Sequence, residues 1–506
     1  MSKMKRWLLM LVVMVIATSG VALSGTNIVQ AKAKTVASKK DLSGAKIGVQ
    51  LGTTGDIYCS DYEKDGSGTK VERYNKGADA IQALTQGKID AVVIDEQPAK
   101  AFVEKNASLK ILKEEFVKED YALVLAKGDT ELLKKVNSAL EQLKKEGMLS
   151  KIVDNYIGTK KGTLPYNKKQ VSRENGTLTV GTNAEFPPYE FYRGNRITGI
   201  DMDIMQAICD KLGMELKIQD MQFDSIITAV STGKVNIGAA GFTVTEERKK
   251  NVNFSDSYAT SKQVIIVKDT SLAGADKKQS FVSKLKQNFV QDGNYKYLLK
   301  GLGNTLLITV FAVLIGIIFG FILAMIRTNH DRNGKLKVLN TLAKIYLGVI
   351  RGTPVMVQLL IIYYVIFASV NMNKILIAII AFGLNSAAYV AEIIRSGIMA
   401  VDDGQFEAAR SLGLNYGQTM RSVIMPQAIK NILPALGNEF ISLLKETSIS
   451  GYIGLIDLTK GGDIIRSTTF EALLPLITVA LIYLVLVLIL SKGVSVLERR
   501  LRKNER

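Results

Sequence analysis

Cysteine and histidine are almost missing from this sequence of 506 residues, which holds two of the first, Cys59 and Cys209, and one of the second, His330. So sparse a supply excludes a disulfide framework and a histidine-rich metal centre. The two thiols are expected as buried small hydrophobes rather than as a bonded pair, and neither a metal nor a cofactor is expected. The phosphate-cradling pattern G-x-x-x-x-G-K-[ST] does not occur either. If ATP supplies energy, another chain hydrolyses it, and this chain is not expected to be an enzyme. Acids are the scarcer charge, 47 against 65 lysines and arginines, for a net +18. No basic motif interleaved with aromatics accompanies that surplus, which argues against nucleic acid as a partner.

What is plentiful is apolar sequence. Hydrophobic residues make up 47% and the mean hydropathy is +0.15, values that fit a membrane protein with a large water-soluble part, in two or three domains. Residues 1–31 carry Lys3, Lys5 and Arg6, an apolar run from Trp7 to Ala17, and the small residues Val29 and Ala31. That is the layout of a signal peptide for export, or of an uncleaved anchor. Segment 41–157 alternates apolar strands with amphipathic helices (AKIGVQLGTTGD, ADAIQALTQGKIDAVVID, YALVLAKG, then a charged helix from Thr130 to Tyr156) and predicts a parallel α/β unit. The Lys-, Asn- and Thr-rich stretch 158–176, with Pro165, reads as a solvated linker, and 177–270 as a second α/β unit. Residues 271–300 read as a polar tether and an amphipathic piece lying in the membrane interface, with lipid as its partner.

Residues 301–506 hold five apolar segments, Thr305–Ile326, Val338–Ala368, Ile375–Ile394, Ile429–Gly451 and Leu473–Ser491. At about 1.5 Å per residue each can cross a bilayer about 30 Å thick. With the α/β part outside the cell membrane, five crossings put the C-terminus in the cytoplasm. The cationic residues from Arg327 to Lys337 and the tail ERRLRKNER then fall on that side, as the positive-inside rule requires. Arg351-Gly352-Thr353-Pro354 breaks the second segment, at a place suited to a translocation route. Ionisable residues such as Glu392, Arg395 and Glu439 are expected to face the bundle interior or a partner. Between the third and fourth segments lies 402–426, with EAARSLGLNYGQTMRSVIMP from Glu407. It reads as a short helix, a reversal at Gly413, a second helical piece, and Pro426 opening the next membrane helix. Small Ala408 and Ala409 leave room for another surface to approach, and Arg410 and Arg421 keep the loop in water.

The spacing of Glu407-Ala408-Ala409, Gly413 and Val423-Ile424-Met425-Pro426 resembles the EAA loop of the permease subunits of ABC importers. That resemblance implies an ABC ATPase subunit, in two copies, acting on Glu407, Ala408, Ala409, Gly413 and Pro426. It also implies a second copy of this chain, because one five-helix unit supplies half a pathway. TNAEFPPYEF, GIDMDIMQAI and GFTVTEERKKNVNFSDSY resemble the first lobe of periplasmic-type amino-acid-binding proteins, and GAKIGVQLGTTG with GKIDAVVID their second lobe. The implied whole is an α/β two-lobed periplasmic-binding-protein-like domain of type II followed by an all-α transmembrane domain of five helices, an importer of a polar amino acid. The lobes stand in reversed order, the second lobe and its returning helix in 41–157 and the first lobe in 177–270. A circular permutation, a remnant of two tandem domains, and pairing of halves between two copies of the chain all fit that order.

An α-amino acid presents a carboxylate, an ammonium group and a side chain, and each needs a partner once desolvated. From pattern alone Arg248 belongs to a solvated charge run, Asp95 to a helix N-cap, and Phe186 and Phe223 to a core. The resemblance implies other roles. Arg248 would fork onto the ligand carboxylate, with Thr243 and the Gly241 backbone beside it. Thr53 and Thr54 would add donors at a helix N-terminus, and Asp95 would take the ammonium group. Phe186 and Phe223 would wall the side chain, whose end would meet Asn183, suited to an amide, or Glu185, suited to a cation. A ligand held between Arg248 and Asp95 would draw the lobes together. The rival reading is an amino-acid-gated channel or membrane receptor. Such a channel would split the lobes around its pore, whereas here both precede all the apolar segments.

Overall fold

The computed structural model describes residues 34–503 apart from 195, 270–279, 369, 371 and 470. The signal-peptide segment 1–31 and the start of the tether lie outside the described residues. The first α/β run lays down β1 (Lys46–Gln50), α1 (Thr54–Glu63), β2 (Lys70–Tyr74), α2 (Gly77–Thr85), β3 (Ala91–Asp95), α3 (Glu96–Lys105), β4 (Leu109–Ile111) and β5 (Val117–Tyr121). It continues through β6 (Val124–Ala126) into α4 (Thr130–Lys145) and α5 (Met148–Tyr156). The second run holds β7 (Thr177–Thr182), β8 (Glu185–Phe186), β9 (Glu190–Arg193), β10 (Arg196–Thr198), α6 (Ile200–Leu212), β11 (Glu215–Asp220) and α7 (Phe223–Ser231). It ends with β12 (Ile237–Gly238), α8 (Glu246–Lys249), β13 (Val252–Phe254) and β14 (Ala259–Lys268).

Two large sheets result, on one plan. Their strand orders are β2-β1-β3-β14-β4, with β5 also on β14, and β11-β7-β12-β6-β13. Each has a parallel core to which the other run contributes one antiparallel strand: β14 lies against β3, and β6 against β12. The chain therefore crosses between lobes twice, from Tyr121 to Val124 and from Phe254 to Ala259, and the two halves complete each other within one chain. Burial follows sequence in the expected way. Every residue of β3, AVVID, is buried, the mark of a strand covered on both faces. Helix α4 buries Val136, Ala139, Leu140 and Leu143 on one stripe, and its N-terminus is capped by Asp129 accepting from Leu132 N at 3.1 Å. The segment 158–176 is exposed, yet it is strapped along α6. There Tyr166 Oη and Lys169 N donate to Asp210 at 2.7 and 2.8 Å, and Arg173 pairs with the same carboxylate. Both cysteines are buried and unbonded.

The helical part holds α9 (Tyr295–Asn333), α10 (Lys337–Gly352), α11 (Val355–Ile361), α12 (Lys374–Met399), α13 (Asp403–Ser411), α14 (Met425–Glu446), α15 (Leu458–Thr469) and α16 (Leu473–Lys503). Among the described residues α9, α12 and α16 are each long and apolar enough to cross a membrane. The helix pair Lys337–Gly352 and Val355–Ile366 is apolar enough to be a fourth, as a broken span or a re-entrant loop, and is bent by 108° at its break, where Pro354 opens α11. The segment expected as another crossing, α14, is helical over 22 residues. Lys430, Asn431, Asn438, Glu439 and Lys445 make it too polar to count by composition, and it packs against α12 and α16 inside the bundle. Helices α9 and α12 approach closely: a Cβ on Gly316 would come within 2.8 Å of Ser386 Oγ and one on Gly320 within 2.7 Å of Val390 Cγ1. Two of the carboxylates inside find partners, Glu392 with Arg327 and Arg395, and Glu439 with the Ser386 hydroxyl.

Candidate functional site

Parallel strands deliver their C-terminal ends to one edge of a sheet, the usual place for a ligand crevice. Here two such edges face each other. Gln50, Thr53, Thr54 and Asp95 come from the lobe of β1, and Asn183, Phe186, Phe223, Ala240, Gly241, Thr243 and Arg248 from the lobe of β7. All the sequence-predicted ligand residues except Glu185 converge there. The cleft is shut, with a free volume of about 10 Å³, room for one water at most.

Thr245 caps α8 by accepting Arg248 N at 3.2 Å, which fixes the backbone that carries the guanidinium. Nη1 donates to Thr243 O and Nη2 to Gly52 O, each at 2.8 Å. The fork thus reaches from one lobe to the other, and Phe223 and Phe242 lie under it. Arg248 is 6% exposed, which removes it from the solvated charge run that its neighbours form. Thr53 caps α1, its hydroxyl accepting from Asp56 N at 3.4 Å and donating to Gln50 O at 2.7 Å, and Thr54 Oγ1 faces Thr243 Oγ1 at 3.5 Å across the cleft. Asp95 sits at the N-cap position of α3 but its side chain makes no cap bond; its carboxylate accepts from Tyr121 Oη instead. Gly241 holds a φ of +55°, and its N–H donates to Asp201 at 2.8 Å. Phe223 stacks on Phe242 at 4.7 Å and Phe186 on Tyr189 at 6.0 Å, so each wall is braced from behind.

Glu185 requires a correction. Its side chain leaves the cleft for Lys76 and Lys460, at 2.9 and 2.7 Å, and it supplies no charge to a ligand. The sequence reading missed Gln50, whose Nε2 donates to Asn183 Oδ1 at 3.2 Å across the lobes, and Ala240. It also missed the layer beneath the cleft, where Glu119 accepts from Thr243 Oγ1 and from Gln263 Nε2, both at 3.0 Å. A glutamine inside the buried apolar strand QVIIVK was the available signal for Gln263.

Burial, with Glu119 nearby, pushes the Asp95 carboxyl up to about 7 in the closed cleft. Opening returns it to water and to an ordinary value of about 3.9. The closed form thus holds the proton more tightly, so closing is favoured as pH falls through about 7, and the gain levels off below about 4, at no more than about 4 kcal/mol. The expected result is a shorter mean lobe separation at pH 5 than at pH 8 in ligand-free protein, by scattering or paired spin labels, and loss of that dependence in Asp95→Asn. A pH-independent separation would remove Asp95 from the closing equilibrium.

On the helical part, α13 is capped by Asp402 and ends at Leu412-Gly413, where Gly413 takes a φ of +87°. A second turn, Tyr416–Thr419, starts with Asn415 and Gln418 capping each other, and Pro426 opens α14. Glu407 and Ala408 are exposed and Leu412 is 84% exposed. Ala409 is buried at 4%, which corrects the expectation that both small residues face an incoming surface.

Two family models match the chain, and they overlap over residues 299–352, inside the helical part. Bacterial extracellular solute-binding proteins, family 3, match residues 62–159 and 178–352. The binding-protein-dependent transport system inner membrane component matches residues 299–503. The arginine transport system permease protein ArtQ of Bacillus subtilis (strain 168) is 42% identical over 211 residues, 41% of this chain and 94% of the relative. A putative glutamine transport system permease protein GlnP of Rickettsia bellii is 39% identical over 207 residues, 40% of this chain and 93% of the relative. Among solved structures, the crystal structure of an amino acid ABC transporter with histidines is 46% identical, with a TM-score of 0.40, and covers 44% of this chain and 99% of its own.

Proposed function

From the premise that this chain belongs both to the bacterial extracellular solute-binding proteins, family 3, and to the binding-protein-dependent inner membrane components, we propose that it imports a polar amino acid, driven by ATP. It is an amino-acid ABC transporter permease joined to a binding domain. The binding domain is a circular permutation complete within one chain and lies outside the cell. The turn from Glu407 to Pro426 and the C-terminal tail lie in the cytoplasm. Two copies of this chain work with two copies of a separate ATPase subunit, which acts on that turn.

The observation that carries this reading is the closed cleft, with Arg248 on one lobe and Asp95 on the other. That is the charge pair an α-carboxylate and an α-ammonium group require. The lobes stand together ahead of the membrane helices, which favours an importer over a gated channel. Asp95 is the one carboxylate among the residues that line the cleft, and it is committed to the ammonium group. What remains for the side chain is two aromatic walls and the amides of Gln50 and Asn183. A neutral amide side chain such as glutamine's is therefore favoured over the cation of arginine, although relatives are named for each.

Calorimetry on the full chain in lipid nanodiscs, titrated with the twenty amino acids, tests this. One amino acid bound per chain is expected, with glutamine at least tenfold tighter than arginine, about 1.4 kcal/mol. Tightest binding of arginine or lysine would overturn the amide assignment. Binding of none would end the reading as an amino-acid importer.

A further inference from the structure

Outside the cleft one short helix touches both lobes. Helix α15 follows α14 and precedes the last membrane helix, and it carries Lys460, Asp463 and Arg466 at three-residue spacing, which puts them on one face. Lys460 Nζ lies 2.7 Å from Glu185 Oε1 and 3.2 Å from Asp220 Oδ2, both in the lobe of β7. Asp463 Oδ2 lies 3.1 Å from Lys76 Nζ, and Arg466 pairs with Asp79; Lys76 and Asp79 belong to the start of α2, in the other lobe. Lys76 also reaches Glu185 directly across the lobes at 2.9 Å. The side chains of Lys460, Lys76, Glu185 and Asp220 are at most 6% exposed. Charges that deep are stable only while their partners stay in place.

We propose that α15 is a closure sensor, a clasp whose set of ion pairs is complete only when the cleft is shut, so that docking on the membrane domain and closing on ligand are one equilibrium. This rests on reading the cleft as one that opens and closes around a ligand. The helix is a single 12-residue element. One end is paired to the lobe of β7 and the other to α2, so separating the lobes must break one set of pairs. Lys460 and Lys76, acting against burial, hold Glu185 at about 2, which keeps its charge at every physiological pH.

The helix is also seated hard in the membrane domain. A Cβ on Gly301 would come within 2.4 Å of Asp457 O, one on Gly461 within 2.7 Å of Tyr297 O, and one on Gly462 within 2.5 Å of Val479 Cγ2. A change in how the lobes grip α15 therefore reaches the starts of α9 and α16 without slack. Coupling is reciprocal: ligand tightens the grip on α15, and α15 raises apparent affinity by raising the closed fraction.

Spin labels on Asp61→Cys and Ser231→Cys, one exposed position per lobe, report lobe separation in the ligand-free full chain in nanodiscs, because the native Cys59 and Cys209 are buried. Lys460→Met, and separately Asp79→Asn with Arg466→Gln, are each expected to move most of the population to a longer distance. Both are expected to weaken amino-acid affinity roughly tenfold, within the 5- to 150-fold typical of coupled sites. Lys460 is deeply buried, so the milder double variant carries the test if Lys460→Met fails to fold. An unchanged distance in the double variant, or opening with unchanged affinity, overturns the clasp. The distance is read without ligand, so a chain that opens as expected yet binds no amino acid supports the clasp and refutes the substrate reading.

Discussion

Replacing Arg248 with alanine is expected to weaken amino-acid capture by roughly 30- to 5,000-fold, since removing one partner of a buried, hydrogen-bonded charge pair costs about 2–5 kcal/mol. The guanidinium is nearly inaccessible to water and rests on the rings of Phe223 and Phe242. Its two nitrogens are held on the carbonyls of Thr243 and Gly52. These donors are where a ligand carboxylate would enter, displacing backbone oxygens that water can satisfy once the lobes part. Arg248→Lys is expected to recover little, because a point charge cannot replace a two-pronged donor. Calorimetry on the full chain reads the affinity, and a melting curve without ligand checks that the fold persists. An affinity within threefold of the parent, in a folded variant, would take the carboxylate away from Arg248.

Local pattern places Thr53, Thr54 and Asp95 at strand ends, and it is the resemblance to amino-acid-binding proteins that makes ligand residues of them, of Arg248 and of the two phenylalanines. Thr53 and Thr54 stand where a strand gives way to a helix, and Asp95 closes an apolar strand; both positions follow from strand and helix signals alone. Glu185 went astray for a local reason too. It and Phe186 are consecutive in the two-residue strand β8, and alternation sends neighbours to opposite faces. The phenylalanine therefore lines the cleft, while the glutamate points to Lys460, 275 positions away in sequence. Gln263 announced its burial by standing in an apolar strand but not what lies against it, and Glu119 was silent because its strand, VKEDY, is mostly charged. The exchange of β6 and β14 between sheets is also beyond periodicity, which reports burial and not strand order. Helix α14 shows the converse case, where partners inside the bundle carry the polarity that composition counts against a membrane crossing.

Substituting Gly413 with valine is expected to cut ATP-driven uptake at least tenfold while leaving capture unchanged. Gly413 holds a φ of +87° with no atom within 4 Å of where a Cβ would stand. Any effect must then come from the backbone, because a β-branched residue strongly disfavours that conformation. The turn it shapes displays Glu407, Ala408 and the bare side chain of Leu412. An isolated leucine this exposed needs no explanation by itself, but at the tip of a capped turn it is what the proposed ATPase subunit would meet. Reshaping the turn displaces Leu412, and Glu407→Lys reverses the charge on the same turn. Both variants belong in proteoliposomes with the ATPase subunit, where uptake, ATP hydrolysis and calorimetric affinity are measured on one preparation. The expected pattern is parental affinity with uptake lost and hydrolysis no longer stimulated by amino acid. Parental uptake in Gly413→Val would separate this turn from the ATPase, and a loss of affinity would make it part of the path from α15 to the cleft.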